Sequence, residues 1–295
     1  MNIVRTIIDT LKIALHDRMP DKWVLNRKYR RHFGKKLNFD NPQTFNEKLN
    51  WLKLYDRNPL YTTLVDKYAV KNWVADKIGS QYIIPTLGVW EKFDEIDIDN
   101  LPNQFVLKCT HDSGGLVICK DKQSLDIVAA RKKINDSLKR NFYYQSREWP
   151  YKNVPPRIIA EKYMEDKCDG ELRDYKFYTF NGEPKFLLIA SNRQIKEKKG
   201  FDYFDMNFKH VDLQDIHVPN SPDGYPHKPK NFEKMKEICR ILAKNIPAVR
   251  VDFYEVDGLL YFGEMTFFDD GGFMNATPKS WELEWGNLIK LPVKG

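Results

Sequence analysis

Cysteine is scarce: the 295 residues hold Cys109, Cys119, Cys168 and Cys239, with no Cys-x-x-Cys pair and no histidines spaced for zinc. That excludes a disulfide framework and a zinc ribbon, and predicts reduced, mostly buried thiols. No apolar run approaches the roughly 20 residues of a membrane span, and no apolar stretch with a small-residue cleavage site opens the chain, so a cytoplasmic protein is expected. Helix-turn-helix, zinc-finger and aromatic RNA-binding signatures are missing, which argues against specific nucleic-acid recognition. Repeats and low-complexity segments are missing too. With 42 % apolar and 30 % charged residues, the chain can build two domains or one large one.

What is present begins with charge. Of a net +7, residues 1–80 carry 16 Lys or Arg against 8 Asp or Glu, so the remainder is near neutral. The densest run is Arg27-Lys28-Tyr29-Arg30-Arg31-His32-Phe33-Gly34-Lys35-Lys36. It attracts phosphates of nucleic acid, anionic headgroups or an acidic polymer, or else forms a solvated face. Before it, Ile3, Val4, Ile7, Ile8, Leu11 and Leu15 mark an amphipathic helix over 2–16, which docks on its own domain or on a membrane surface.

Asn41-Pro42-Gln43-Thr44 is a turn and cap before a helix over 45–54. Asp66-Lys67 opens another, lined by Val70, Trp73, Val74 and Ile78 and stopped at Gly79; 83–85 is a short extended piece. Strands over 105–108 and 116–119 flank Thr110-His111-Asp112-Ser113-Gly114-Gly115. Such a loop brings backbone N–H groups close to phosphate oxygens, although most Ser-Gly-Gly loops are only turns. A helix over 125–138 follows, then a Pro-rich stretch, 149–156, where a boundary is expected. Next come a β-run over 157–164, a polar loop at Asp169-Gly170, and strands over 172–180 and 184–191 joined by Asn181-Gly182. Residues 196–230 are expected to be irregular: a lid, a substrate loop or a disordered insert. Phe232, Met235, Ile238, Leu242 and Ile246 mark a last helix.

Val249–Val256 and Leu259–Phe268 flank Asp257-Gly258, a strong hairpin signal. Alternation puts Arg250, Asp252 and Tyr254 on one face, and pairing about the turn brings Asp252 level with Gly263 and Glu264. The apolar residues around them place the pair in a core, where charges need partners. Carboxylates at one end of a ladder suit Mg²⁺, which takes one or two of them and completes its shell with water and phosphate. Asp269-Asp270-Gly271-Gly272 adds carboxylate at the same end. The competing reading is a solvated acidic face.

In this order the stations resemble the ATP-grasp ligases and, more narrowly, their TupA-like branch, named for teichuronopeptide synthesis and found in bacterial surface-polysaccharide gene sets. The resemblance runs from about Asp66 to the end. It implies an α+β fold with two lobes clasping ATP, 66–156 and 157–295, behind a basic helical N-terminal region, 1–65. It implies ATP contacts by Lys67, Lys108, His111, Ser113, Gly114 and Gly115. Along the hinge Glu161-Lys162-Tyr163-Met164 it implies adenine recognition by Glu161 and by backbone near Met164, with Glu171 meeting the ribose. Arg250-x-Asp252 and Glu264-x-Thr266 match the family's metal and phosphate residues, except that Thr266 stands in place of asparagine. A second Mg²⁺ would then need Asp269 or Asp270.

The implied reaction activates a carboxylate with ATP and passes the acyl group to an amine. Phosphoryl transfer asks mainly alignment and charge compensation of the protein, which Lys67, Lys108 and Arg250 with Asp252 and Glu264 can supply. Asp174 and Lys176 share a strand face, so Lys176 meets phosphate or substrate with Asp174 orienting it, or the two form a surface pair. His111 touches the γ-phosphate or faces solvent. The branch suggests joining an amino acid or similar amine to a uronic acid of a capsular, lipopolysaccharide or cell-wall glycan. The basic N-terminal region would then hold that acidic glycan at the inner membrane face. A glycosyltransferase using a nucleotide-sugar, with Asp269-Asp270 as metal motif, leaves Lys67, the Gly-rich loop and the Glu161 hinge unexplained. A non-catalytic nucleotide-binding or membrane-surface protein is the third class.

Overall fold

A computed structural model describes residues 18–167, 170–193, 195 and 197–293. The helix expected over 2–16 and Cys168 lie outside the described residues. Helices α1 (Asp21–Phe33), α2 (Phe45–Tyr55), α3 (Leu60–Val65) and α4 (Ala69–Ile78) come first. Strands β1 (Thr86–Trp90), β2 (Phe105–Cys109) and β3 (Leu116–Cys119), helices α5 (Ile127–Leu138) and α6 (Tyr143–Ser146), and β4 (Ile158–Lys162) follow. The rest is β5 (Asp174–Phe180), β6 (Glu183–Ser191), β7 (Gly200–Asp205), β8 (Gln214–Asp215), α7 (Phe232–Leu242), β9 (Ala248–Val256), β10 (Leu259–Thr266), β11 (Ala276–Thr277) and α8 (Trp281–Leu288). The fold is α+β, with a four-stranded sheet ordered β1-β4-β2-β3 and a five-stranded sheet ordered β10-β9-β5-β6-β7.

In the small sheet, alternation sends Phe105, Leu107, Ile158 and Ala160 to one face, where they pack with Ala130 and Ile134 of α5. Val106, Lys108, Ile159 and Glu161 take the other face. The β-run expected to open the second lobe therefore belongs to this sheet: β4 pairs with both β1 and β2. The helix at 66 also starts later. Asp66 Oδ1 accepts the N–H groups of Tyr68 and Ala69 and closes the turn that leads into α4, which leaves Lys67 in that turn ahead of the helix.

One face of the large sheet, with Phe177, Leu187, Val251 and Phe253, is covered by Phe232, Met235, Ile238 and Leu242 of α7. The opposite face changes character along its strands. Near Phe180 it is apolar and lies under α2 and α8, where Trp285 meets the rings of Phe45, Tyr178 and Phe186 within 4.6–5.5 Å. Gly286 permits that closeness, since a Cβ there would stand 2.8 Å from the carbonyl carbon of Thr44. Toward Asp174 the same face is charged.

Thr44 caps α2 as expected, and Glu47 completes a capping box with it. Phe45 and Leu49 of α2 and Leu64 of α3 sit in the same core as the large sheet. Both Asn-Gly and Asp-Gly turns form with positive φ at each central residue, as tight hairpins require. Residues 200–205 were expected to be irregular but form β7 beside β6. Asp202 disguised them as loop; it is buried in the strand because Ser221 Oγ donates to its Oδ2 at 2.5 Å.

Candidate active site

The Gly-rich loop is built on Asp112, a residue the sequence reading left without a role. Its buried carboxylate accepts Gly115 N–H at 3.1 Å on Oδ1, and Ser137 Oγ and Arg140 Nη2 on Oδ2. Ser113 and Gly114 are left exposed at the tip. Gly115 has no room for a side chain, because a Cβ would stand 2.6 Å from Cys109 Sγ and collide with Ser137 Oγ. His111 neither faces solvent nor reaches outward. It is buried, with Nε2 at 3.2 Å from the carbonyls of Ser137 and Arg140, and burial holds its pKa below the usual value. It anchors the loop to the end of α5.

Lys67 spans the two sheets. Its N–H donates to Thr110 O at 3.1 Å and its ammonium to Asp112 O at 2.6 Å, and the same Nζ stands 4.0 Å from Glu264 Oε2 on β10. Glu161 is 6 % exposed and holds two ammonium groups, Lys108 at 2.6 Å on Oε2 and Lys71 on Oε1. Burial alone would raise its carboxyl, but these lysines hold it below the ordinary range. Lys71 carried no signal in the sequence, because a lysine on an amphipathic helix reads as solvated. Beside Glu161 the hinge runs through exposed Lys162 and half-buried Tyr163 to Met164. Met164 packs with Ile84 and Val256 in an apolar cluster edged by Leu172, Tyr254 and Tyr261. Glu171 accepts Arg173 Nε at 2.8 Å and the N–H of Asn192.

The charged end of the large sheet is a ladder row. Lys176 pairs in register with Asp252, and Asp252 with Glu264; Tyr178 pairs with Arg250, and Arg250 with Thr266. Asp252 and Glu264 share a face only because of a bulge between Phe262 and Glu264. Unbroken pairing from Asp257-Gly258 would place Gly263 opposite Asp252 and turn Glu264 to the other side. Arg250 grips Asp252 with two bonds, Nε to Oδ1 at 2.7 Å and Nη2 to Oδ2 at 2.8 Å. It also meets Asp269, Thr266 at 3.2 Å and Glu264 at 3.4 Å. Lys176 donates to Asp252 at 2.5 Å and stands 3.5 Å from Asp174. Burial pushes the Asp252 carboxyl up, yet Arg250 and Lys176 hold it below the ordinary range. Asp174 and Lys176 are buried and are not a surface pair. Arg193, also missed, donates to Asp174 at 2.6 Å with half its side chain open to solvent.

The donor set fits Mg²⁺ of the kind that borrows ligands from phosphate. Among the described residues no group of three or more His, Cys, Asp or Glu could hold a metal alone. Asp252 and Glu264 lie side by side, and Glu264, with partners only at 3.4–4.0 Å, is the looser of the two. Thr266 Oγ1 lies 3.5 Å from Glu264 Oε1 in the same group. Asp269 joins it through Arg250, whereas Asp270 is exposed near Asp215 and His217. Phosphate groups entering between Lys67, the loop and Arg250 would meet cations from both lobes.

No match is found among curated proteins. Solved structures of similar course include D-alanine–D-alanine ligase from Helicobacter pylori, at 13 % identity over 83 % of this chain and 69 % of that one, with a TM-score of 0.46. The same enzyme from Bacillus anthracis complexed with ATP gives 14 %, 70 %, 54 % and 0.39. N5-carboxyaminoimidazole synthetase from Staphylococcus aureus gives 15 %, 69 %, 44 % and 0.37. This chain thus spans only 44–69 % of their lengths, and likenesses of this distance bear on neither substrate nor mechanism. Over residues 47–290 the sequence matches the family described as TupA-like ATPgrasp, and the chain belongs to that family.

Proposed function

We propose that this protein is an ATP-dependent carboxylate–amine ligase. The observation that carries the reading is the position of Lys67, bound to the Gly-rich loop through Asp112 O and 4.0 Å from Glu264 of the hairpin. A triphosphate lying there is cradled by loop N–H groups and Lys67 while its far end meets Arg250, Lys176 and the carboxylate pair. Adenine lies along the hinge against the Met164 cluster, with Glu171 at the ribose. Asp252 and Glu264 hold Mg²⁺, which supplies charge neutralisation on the phosphates. A substrate carboxylate oxygen attacks the γ-phosphorus, the bond to ADP breaks, and an acylphosphate forms. A neutral amine then attacks the acyl carbon, phosphate leaves, and the amide nitrogen releases a proton. Arg250, held in place by Asp252 and Asp269, offsets the charge that develops on the phosphoryl oxygens, and Arg193 orients the substrate acid.

For the acceptor we propose an acidic glycan bearing uronic acids, with an amino acid or similar amine as its partner. In support, three adjoining depressions along α1 all share Trp23, half exposed, and are lined by Lys22, Arg27, Arg30, Arg31 and Lys36. An aromatic face beside guanidinium groups suits a sugar ring carrying carboxylate. Among the described residues no helix is long and apolar enough to cross a membrane. Contact with an anionic membrane surface would run through the same basic helix. The sugar-nucleotide alternative needs Asp269 and Asp270 as a metal pair, whereas Asp269 is taken by Arg250 and Tyr178.

The test is ADP release screened over uronic acids crossed with amino acids, with Arg27, Arg30 and Lys35 replaced together as control. Release that needs both an acid and an amine is expected, with acceptor KM raised in the triple variant. Turnover of a nucleotide-sugar with no ADP formed would overturn the assignment.

A further inference from the structure

Resting on the role given to Arg250 above, we propose that Lys53 and Asn50 of α2 are positioning residues for its guanidinium, acting through the turn at Asp269–Gly272. Asp270, Gly271 and Gly272 take φ of 46°, 59° and 71°, a left-handed run that an aspartate rarely joins. Asp270 O accepts the N–H of Phe273 at 3.1 Å within the turn, but the carbonyls of Gly271 and Gly272 need donors from elsewhere. Both donors come from α2: Lys53 Nζ reaches Gly271 O, and Asn50 Nδ2 donates to Gly272 O at 2.7 Å. Lys53 also donates to Ser146 O at 2.9 Å and Asn50 Oδ1 at 3.1 Å, between the rings of Phe268 and Phe273.

The residue that opens this turn is Asp269, and it divides its carboxylate between Arg250 Nη1 and the Tyr178 hydroxyl, which donates at 2.6 Å. Without a fixed turn that carboxylate drifts, and the guanidinium pivots about Asp252. An apolar side chain at position 53 would pack as well against the two phenylalanines and would avoid burying a basic group, whose pKa burial brings down to about 7. What the amino group adds is a grip on the turn.

The test compares Lys53→Met, Lys53→Arg, Asp269→Asn and the double variant Lys53→Met/Asp269→Asn. Solvent exchange of the Arg250 guanidinium protons is followed by NMR, and kcat and KM for ATP by ADP release. Lys53→Met and Asp269→Asn should each speed that exchange and lower kcat by about tenfold, with KM for ATP within about twofold because Lys67 and Lys108 hold the nucleotide. The double variant should be no worse than the poorer single one, and Lys53→Arg should recover most of the loss. If Lys53→Met does not fold, Asn50→Ser removes the Gly272 contact along with the bonds of Asn50 to Lys53 and Asn46, leaves Lys53 on Gly271 O, and carries the same expectation. Unchanged exchange and kcat in a folded variant, or additive losses in the double, overturn the proposal. A wild-type protein that releases no ADP refutes the ligase reading alone, and the NMR comparison still decides this one.

Discussion

Glu161→Gln removes a charge without changing shape, at the point where Lys108 of the small sheet and Lys71 of α4 meet. The carboxylate is buried, with Lys108 at 2.6 Å on one oxygen and Lys71 on the other. At an effective dielectric of about 20, a contact of this length is worth roughly 6 kcal/mol of gross attraction, most of it offset by desolvation. Breaking a buried pair costs about 3–5 kcal/mol, since the surviving charges stay buried. Lys108 is a quarter exposed and can turn to water, so the lower figure applies. At about 2–4 °C per kcal/mol for a chain of this size, Tm should fall by about 6–12 °C in calorimetry. Nucleotide affinity separates two roles for this glutamate. If it orients the lysines, titration calorimetry should show ATP–Mg²⁺ and tripolyphosphate–Mg²⁺ weakened alike, by about 10–100-fold. A Tm within about 2 °C of wild type, or a loss confined to ATP, would refute the reasoning.

Gly115→Ala should destabilise by about 1–3 kcal/mol and abolish the ATP-induced thermal shift, because its Cβ meets Cys109 and Ser137; Ser113→Ala at the exposed tip should leave stability unchanged. Gly263→Val should abolish Mg²⁺-dependent ADP release. A Cβ there stands 3.0 Å from Asp252 O and 3.2 Å from the Tyr254 ring, so the bulge that aims Glu264 must shift; activity retained would exclude the bulge as the aiming device. Asp252 has a folded pKa below its unfolded value near 4, so its contribution to stability is complete above pH of about 4 and disappears as pH falls through the folded value. Denaturant titrations of Asp252→Asn should show a flatter acid limb than wild type, and parallel limbs would count against the depressed carboxyl.

Much of the scaffold was legible because local chemistry dictates it. Asn181-Gly182 and Asp257-Gly258 fold as tight turns since both residues tolerate positive φ, and alternation then determines which side chains share a face. That is why Arg250 could be set beside Asp252, and Asp174 beside Lys176, from the sequence; that the two pairs meet in one ladder row could not. Helix α1 was expected only as part of a basic helical region, 1–65; its bounds and buried face were not legible, since its charges hide the two residues it buries, Leu25 and Tyr29. Strand β7 failed for the opposite reason: its buried aspartate is satisfied by a serine 19 residues away.

Partner choice is the level at which sequence reading ends. Alternation says that Asp252 faces the cleft, but a slip of one residue turns Glu264 away, and Gly263 decides the slip by accepting the extra residue of the bulge. Hairpin pairing alone yields Glu264 on the wrong side, so the carboxylate pair depends on a glycine that no spacing rule marks. The same holds for Glu161, whose lysines come from β2 and α4, and for Arg250, whose turn is gripped by a helix 218 residues earlier. Charges in a low-dielectric site must find opposite partners, yet the partner nearest in sequence has no advantage once the chain is folded. Gly263, Lys71, Lys53 and Asp112 are therefore the positions where this site is decided. Each looks, in the sequence, like an ordinary loop, strand or surface residue.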